Sequence, residues 1–261
     1  MNSLNTFNPD APILPILCIL FFLLLPVDAF SAEKTFPFKP GEKITYQLKW
    51  LFFPAGKATL EVLPMEKIDG ALAHHFRLVV RSNGFVDRFY KVRDRIDAFA
   101  DKAMERSMGY RKSQKEGRTQ REVSVEFDWE HQTARYANFN HIRPPIPVLP
   151  GTFDPLSSLY HVRFFDMKQG MKIQRPVSDG KKCVMGRLTV AGREQIRVGG
   201  RDFDTWRLLP ELKHVGGVFE KSKNASIIIW VTADAHRIPV RVKSRVIIGS
   251  FTGDMVSADG L

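Results

Sequence analysis

The chain has 261 residues, with 39 Lys and Arg against 28 Asp and Glu, 20 Phe and two Cys. That length holds one large domain, or two small ones. Two cysteines exclude a disulfide-framed fold, and a formal charge of +11 favours anionic partners such as lipid head groups or acidic polysaccharide.

Pro12–Val27 is an uncharged apolar run, short for a membrane span of ~20 residues. Small residues follow it, in Val27-Asp28-Ala29 and Phe30-Ser31-Ala32. The pattern predicts a secretory signal peptide over residues 1–32, cleaved after Ala29 or Ala32, and a single β-rich exported domain over 33–261. The first residues lack Lys and Arg and contain Asp10, so a retained anchor is the alternative. Cys18 follows Leu17, where a bacterial lipidation site needs a small residue. Removal of Asp10 and Asp28 leaves 39 basic against 26 acidic residues, a formal charge of +13. Only Cys183 then remains, so core packing must hold the fold, and Cys183 reads as a small buried hydrophobe.

Ile44, Tyr46, Leu48 and Trp50 alternate with polar residues and open the strands. Phe53-Pro54-Ala55-Gly56 reads as a turn, and Lys57–Leu63 as the returning strand. Phe76, Leu78 and Val80 make the inner face of a third strand. Tyr90, Val92, Asp94, Ile96 and Ala98 line one face of a fourth. Asp94 on that apolar face predicts a buried Asp–Arg pair. Further strands are expected at Ser107–Lys115, Thr119–Trp129 and Thr133–Phe139, with Val123 and Val125 inward.

Arg143–Gly151 carries four prolines, which exclude ladder pairing and predict an extended loop or hinge. The one main helix follows, over Asp154–Met167. Asp154 caps it, Pro155 takes the first position, and Leu156, Leu159, Tyr160 and Phe164 form its apolar stripe. Ser178-Asp179-Gly180 and Gly199-Gly200-Arg201-Asp202 mark two hairpins. Lys172–Val177, Lys182–Val190, Glu194–Val198 and Phe203–Leu209 are their strands, and His214–Val218 is a loop. Ser226–Thr232 is β-branched and aromatic, with Ile228 and Trp230 placed inward. After the Ala233–His236 turn, Val240 and Val242 face in while Arg241, Lys243 and Arg245 face out. The fold class is mainly β: a single strongly curved antiparallel sheet, a half-barrel or open barrel, with one main α-helix.

No nucleophile elbow, zinc-protease helix or phosphate-binding loop occurs. His74 and His75 are adjacent, so on a strand they point to opposite faces and cannot share a metal. The reading is therefore no catalytic residue, no metal, no cofactor and no nucleic acid. Phe52-Phe53 sits at a turn without a clear strand partner, Phe85 stands beside Gly84 and Phe164-Phe165 ends the helix; most of these aromatics are expected in the core, with some lining a cavity.

Four segments, in order, carry a resemblance: Phe38–Tyr46 (FKPGEKITY), Asp154–Arg163 (DPLSSLYHVR), Val177–Lys182 (VSDGKK) and Trp230–Val242 (WVTADAHRIPVRV) with Gly249. They resemble the exported bacterial family catalogued as domain of unknown function 3108, from about Phe36 to Val256. The resemblance implies an exported, β-rich, envelope-associated protein, and it brings no established catalytic residues. More loosely, the pattern is similar to periplasmic half-barrel lipoprotein carriers.

Three functions compete. The first is a periplasmic binding module that holds an anionic lipid, a glycolipid or a lipoprotein in an apolar cavity. The second is a structural or interaction protein of the envelope with a packed interior. The third is an enzyme, which no motif supports. For the first, Arg143 and Arg163 are the expected head-group contacts and Tyr160 and Phe164 the expected apolar ones.

Overall fold

Period-two alternation builds nearly everything in this chain. The structure is a computed structural model and describes residues 35–213, 222, 224–247 and 249–261. The expected leader and the expected loop His214–Val218 lie outside the described residues. Fifteen strands follow in chain order: β1 (Lys43–Trp50), β2 (Phe53–Ile68), β3 (Ala71–Ser82), β4 (Val92–Asp101), β5 (Ser107–Glu116), β6 (Thr119–Asp128), β7 (Thr133–Asn138), β8 (His141–Ile142), β9 (Ile146–Pro147), β10 (Lys172–Ser178), β11 (Cys183–Val198), β12 (Arg201–Pro210), β13 (Ser226–Thr232), β14 (Pro239–Val246) and β15 (Gly249–Asp259). One short helical turn, α1 (Gly84–Asp87), links β3 to β4, and α2 (Pro155–Val162) links β9 to β10.

All the strands belong to one sheet, ordered β10-β11-β12-β13-β14-β15-β1-β2-β3-β4-β5-β6-β7-β8, with β9 beside β7. The ladders are antiparallel, and the first and last strands, β1 and β15, pair in its middle. The sheet does not close into a barrel. Instead, the segment before α2 ties the β10 edge to the start of β5. Ser107 N–H donates to Thr152 O (3.0 Å), Phe153 N–H to Pro176 O (3.0 Å) and Ser178 N–H to Phe153 O (2.9 Å). These bonds satisfy backbone groups that would otherwise be left at the sheet edges.

The expected inner faces hold for β1, β3, β6 and β14. Tyr46, Phe76, Val123, Val125 and Val240 are buried. β13 is inverted: Ile228 and Trp230 pair with the outward Lys243 and Arg241, while Ile229 pairs with Val242. That strand is apolar on both faces, so its own sequence carries no period-two signal, and its partners decide the register.

The first hairpin turns at Leu51 and Phe52, not at Phe53–Gly56, and Leu51 adopts φ 55°. Pro54 sits in β2 where the β1–β2 register shifts, one of the few places a sheet takes proline. The proline-rich segment does pair, through β9, with Thr133 and Ala134; this is an edge contact, which tolerates Pro147. β11 runs through Gly192 as one strand with a bulge near Val190, where two separate strands were expected. β4 starts at Val92, and Tyr90 before it is exposed.

α2 starts as expected. The Asp154 carboxylate accepts N–H bonds from Leu156 (2.8 Å) and Ser157 (2.9 Å), and Pro155 fits the first turn. It ends at Val162, one turn and more before Met167. Phe164 and Phe165 N–H groups bond back to His161 and Val162 carbonyls, a tightening typical of helix ends. Arg163 is tied to other elements there, so the chain leaves the helix axis at that residue.

Two core clusters result. The larger joins Phe38, Ile44, Phe76, Val125, Phe153, Leu156 and Tyr160, with others. The smaller joins Met167, Ile173, Val190, Leu208 and Val231.

Candidate functional site

The inner face of the sheet is filled at one end only. At the filled end Phe38 packs edge-on to Phe76 and Tyr160, and Phe76 stacks on Tyr160 with ring centroids 3.8 Å apart. Towards the other end the inward residues shrink to Val80, Val92, Val184, Gly186, Val242 and Gly253. α2 is only ~12 Å long at 1.5 Å per residue, so it covers part of this concave face. A cavity of about 1170 Å³ remains between the sheet and the helix. That is somewhat larger than the usual ligand-binding pocket of ~300–1,000 Å³. Its walls are mainly aliphatic, from Leu48, Leu60 and Leu78 on one side to Leu188 and Ile229 on the other, with Leu159 and Val162 of α2.

Charged side chains reach its margin, among them Lys49, Asp179, Lys182, Arg187 and Glu211. Arg175 of β10 lines the cavity, and its Nε donates to His161 Nε2 at 3.1 Å. His161 Nδ1 lies 3.1 Å from Met104 O. A carbonyl only accepts, so the ring carries its proton on Nδ1 and leaves Nε2 as the acceptor. No carboxylate pairs with Arg175 among the described residues. Tyr46 lines the wall, donates its O–H to Pro239 O at 2.7 Å, and burial pushes its phenol up.

At the open end Glu116 faces the cavity. Asp94, on the same face, accepts the Lys115 N–H at 3.0 Å. Burial, then a hydrogen bond shared with Glu116, pushes the Asp94 carboxyl up to about 6. The expected Asp94–Arg pair is therefore absent among the described residues. The carboxylate of β4 that two arginines hold is Asp97, three residues further and on the outer face. It accepts from Arg77 Nε (2.7 Å) and Arg95 Nε (2.6 Å), and lies 2.7 Å from His75 Nε2.

The four expected ligand contacts all lie away from the cavity wall, and this corrects the sequence reading. Arg163 is almost wholly buried. Its guanidinium binds Glu42 through Nη1 (2.6 Å) and Nη2 (2.8 Å), with Pro37 O at 2.8 Å and His236 O at 2.9 Å. Every arm of the fork is thus occupied by the protein itself. Tyr160 is fully buried in the ring stack. Phe164 packs against Phe36 and Phe38, at 5.4 and 5.7 Å. Arg143 is exposed on the proline-rich segment, over the Tyr136 ring at 5.4 Å. The helix does cover the sheet, but its aromatic stripe faces the filled end. Arg175 was missed because nothing local distinguishes it from the other strand arginines. Cys183 is half-buried against the larger core, with Sγ 3.5 Å from Thr152 Oγ1. His74 and His75 do face opposite ways: His74 touches Phe36 and Phe38, and His75 pairs with Asp97.

A curved antiparallel sheet wrapped on a helix, with an apolar hollow at one end, defines the class: an open, barrel-like β-domain. Within that class, the chain belongs to the protein-of-unknown-function family DUF3108, whose profile matches residues 45–256. Among solved structures it is similar to a β-barrel-like protein of domain of unknown function DUF1849 from Brucella abortus. That match has 12% identity, covers 84% of this chain and 96% of the other, and has a TM-score of 0.53. A protein from Parabacteroides distasonis, provisionally described as a lipoprotein, aligns over 86% of this chain and 97% of its own at 10% identity, with a TM-score of 0.31. Comparison with curated proteins returned no match.

Proposed function

We propose that this is an exported, non-enzymatic binding protein of the cell envelope that holds the hydrocarbon of an amphiphile with an acidic head. The apolar cavity carries this reading. Burial contributes ~0.8 kcal/mol per CH₂, so ten methylenes gain ~8 kcal/mol before the costs of association. The apolar leader of residues 12–27 supports export, and the periplasm or the periplasmic face of the envelope is where a basic carrier would meet anionic lipids, glycolipids or lipoproteins.

Arg175 is the head-group candidate. It stands at the cavity wall with no carboxylate partner among the described residues, and His161 orients its Nε. A carboxylate or phosphate would take its remaining N–H groups by charge-assisted bonds. The alternative of an interaction protein with a packed interior has no comparable support, because the described residues leave the volume at the open end unfilled.

The test is titration with a fluorescent fatty acid. Wild type binds it saturably, and Val80→Trp, which projects an indole into the cavity, weakens binding by at least ~tenfold. Arg175→Gln weakens binding of the acid more than that of the corresponding alcohol. Equal binding by wild type and Val80→Trp, or none by either, removes the carrier reading.

A further inference from the structure

We infer that the open end of the sheet is a docking face for an anionic lipid bilayer. Three chain reversals stand side by side there: the β14–β15 turn, the β1–β2 tip and the β3–β4 connection with α1. They are braced against one another. Leu51 N–H donates to Ser250 O at 2.7 Å, Asn83 N–H to Ala55 O at 2.9 Å, and Asn83 Nδ2 to Pro54 O at 2.7 Å. Their apolar side chains face outward. Phe52 is 77% exposed, Phe89 78% and Ile247 73%. The rings pair with each other, Phe52 with Phe53 at 4.9 Å and Phe85 with Phe89 at 5.8 Å, and none joins either core cluster. Adjoining exposed aromatics of this kind mark an interaction surface.

Directly behind them the outer face carries a transverse row of like charge. Lys57 stands opposite Arg81, Arg81 opposite Arg93, and Arg93 opposite Lys115. Only Arg93 of this row has an ion pair among the described residues, with Asp87 at 2.6 Å. Arg88 and Lys91, between the exposed phenylalanines and β4, are also exposed. Like charges directly opposite one another weaken a sheet, so folding gives no reason for the row. A second row four residues along the strands alternates in sign: Lys43, Glu61, Arg77, Asp97, Arg111. Across β2–β5 the sheet therefore balances its outer charges where the interior is packed and leaves them unbalanced beside the apolar tips, whereas on β1, β14 and β15 Asp254 pairs with Lys49 and Arg241.

A bilayer rich in acidic phospholipid matches both features at once. Phosphates meet the cationic row and hydrocarbon accepts the phenylalanines, as for amphipathic surfaces that lie in the membrane interface. The cavity reaches the same end, because Val86, Tyr90 and Phe251 belong both to these segments and to its lining. Docking nevertheless rests on Phe52, Phe53, Phe85, Phe89 and the basic row, which lie outside the lining, and it stands independently of what the cavity holds.

The experiment is co-sedimentation of the exported chain with vesicles of phosphatidylglycerol and phosphatidylethanolamine, against vesicles of phosphatidylcholine. The expected result is binding to the acidic vesicles, weakened by added salt. Phe52→Ser with Phe89→Ser, and separately Lys57→Gln with Arg81→Gln and Lys115→Gln, should each lower it by at least ~tenfold. Neither variant should lower the melting temperature, which relief of the like-charge repulsion raises slightly in the glutamine variant, and both should keep fatty-acid binding. Equal binding to both vesicle types, or variants that bind as wild type does, overturns the inference. So does a concentration-dependent dimer that the same substitutions abolish while vesicles stay unbound, which would assign the face to a second copy.

Discussion

The two ends of this sheet solve the same problem in opposite ways. At the closed end, inward side chains are large, Phe76 and Tyr160 stack, and the one fully buried ion pair, among the described residues, locks the N-terminal lead-in to the helix end through Glu42 and Arg163. Outward charges alternate in sign there. At the open end, inward side chains are small, the interior is hollow, outward charges repeat, and phenylalanines face solvent. The difference separates stability from function. Side chains at the closed end pack tightly against one another, whereas those at the open end leave volume, charge and apolar surface for something else.

Breaking the buried pair should have the largest effect. Glu42→Ala leaves the Arg163 guanidinium buried without its carboxylate and should cost ~3–5 kcal/mol in urea unfolding, whereas replacing both partners, Glu42→Leu with Arg163→Met, should recover much of that loss. Phe76→Ala should cost ~3–5 kcal/mol, while Phe52→Ser at the open end stays within ~0.5 kcal/mol; equal effects at the two ends would dissolve the comparison.

Two of the three carboxylates of β4, Asp97 and Asp94, sharpen it through pH. Burial works to raise the Asp97 carboxyl, but hydrogen bonds from Arg95, His75 and Arg77 outweigh it and hold it at about 2. Its folded value lies below the unfolded 3.8, so the unfolded chain binds more protons in that window and stability rises with pH. The contribution is complete above the unfolded value and lost as pH falls through about 2. Asp97→Asn should cost ~2–3 kcal/mol at neutral pH, and much less near the acid end of that window.

Asp94 has the opposite sign. With a folded value of about 6 against 3.8 unfolded, the folded chain binds more protons between them, and stability falls as pH rises through the window. Asp94→Asn should therefore gain ~1 kcal/mol at neutral pH, discounted for its partial exposure, and nothing below the unfolded value. Thermal melts across pH for both variants check the pair of signs. The smallest effect belongs to the like-charged row: Arg81→Glu, which restores alternation between Lys57 and Arg93, should raise the melting temperature by ~1 °C while it weakens vesicle binding.

The strands were legible because each buried face writes a period of two. Where both faces are apolar, as in Ile227-Ile228-Ile229, the period vanishes and the inward face is set by β14. The cap at Asp154 was legible because its partners are local. Arg163 was not, because its carboxylate lies 121 residues away and a helix-end arginine looks the same whether it meets solvent or Glu42. The cavity was illegible for a related reason. It is made by small inward residues, Gly186 and Gly253 among them, and a small residue reads in sequence as a weak position, not as a hollow. Phe52-Phe53 left a trace, as aromatics at a turn with no strand to pack against. The seven-strand spread of its surroundings, from β14 to β5, appears only in the fold.

The central claim is that the open end holds hydrocarbon. Crystals grown with a fatty acid brominated along its chain test it most directly, by the anomalous signal of bromine. The account predicts a peak inside the cavity, between Leu78 and Val80 on one wall and Leu188 and Ile229 on the other, that is displaced in Val80→Trp. A cavity with no such peak at saturating fatty acid, or bromine found only outside it, would contradict the claim.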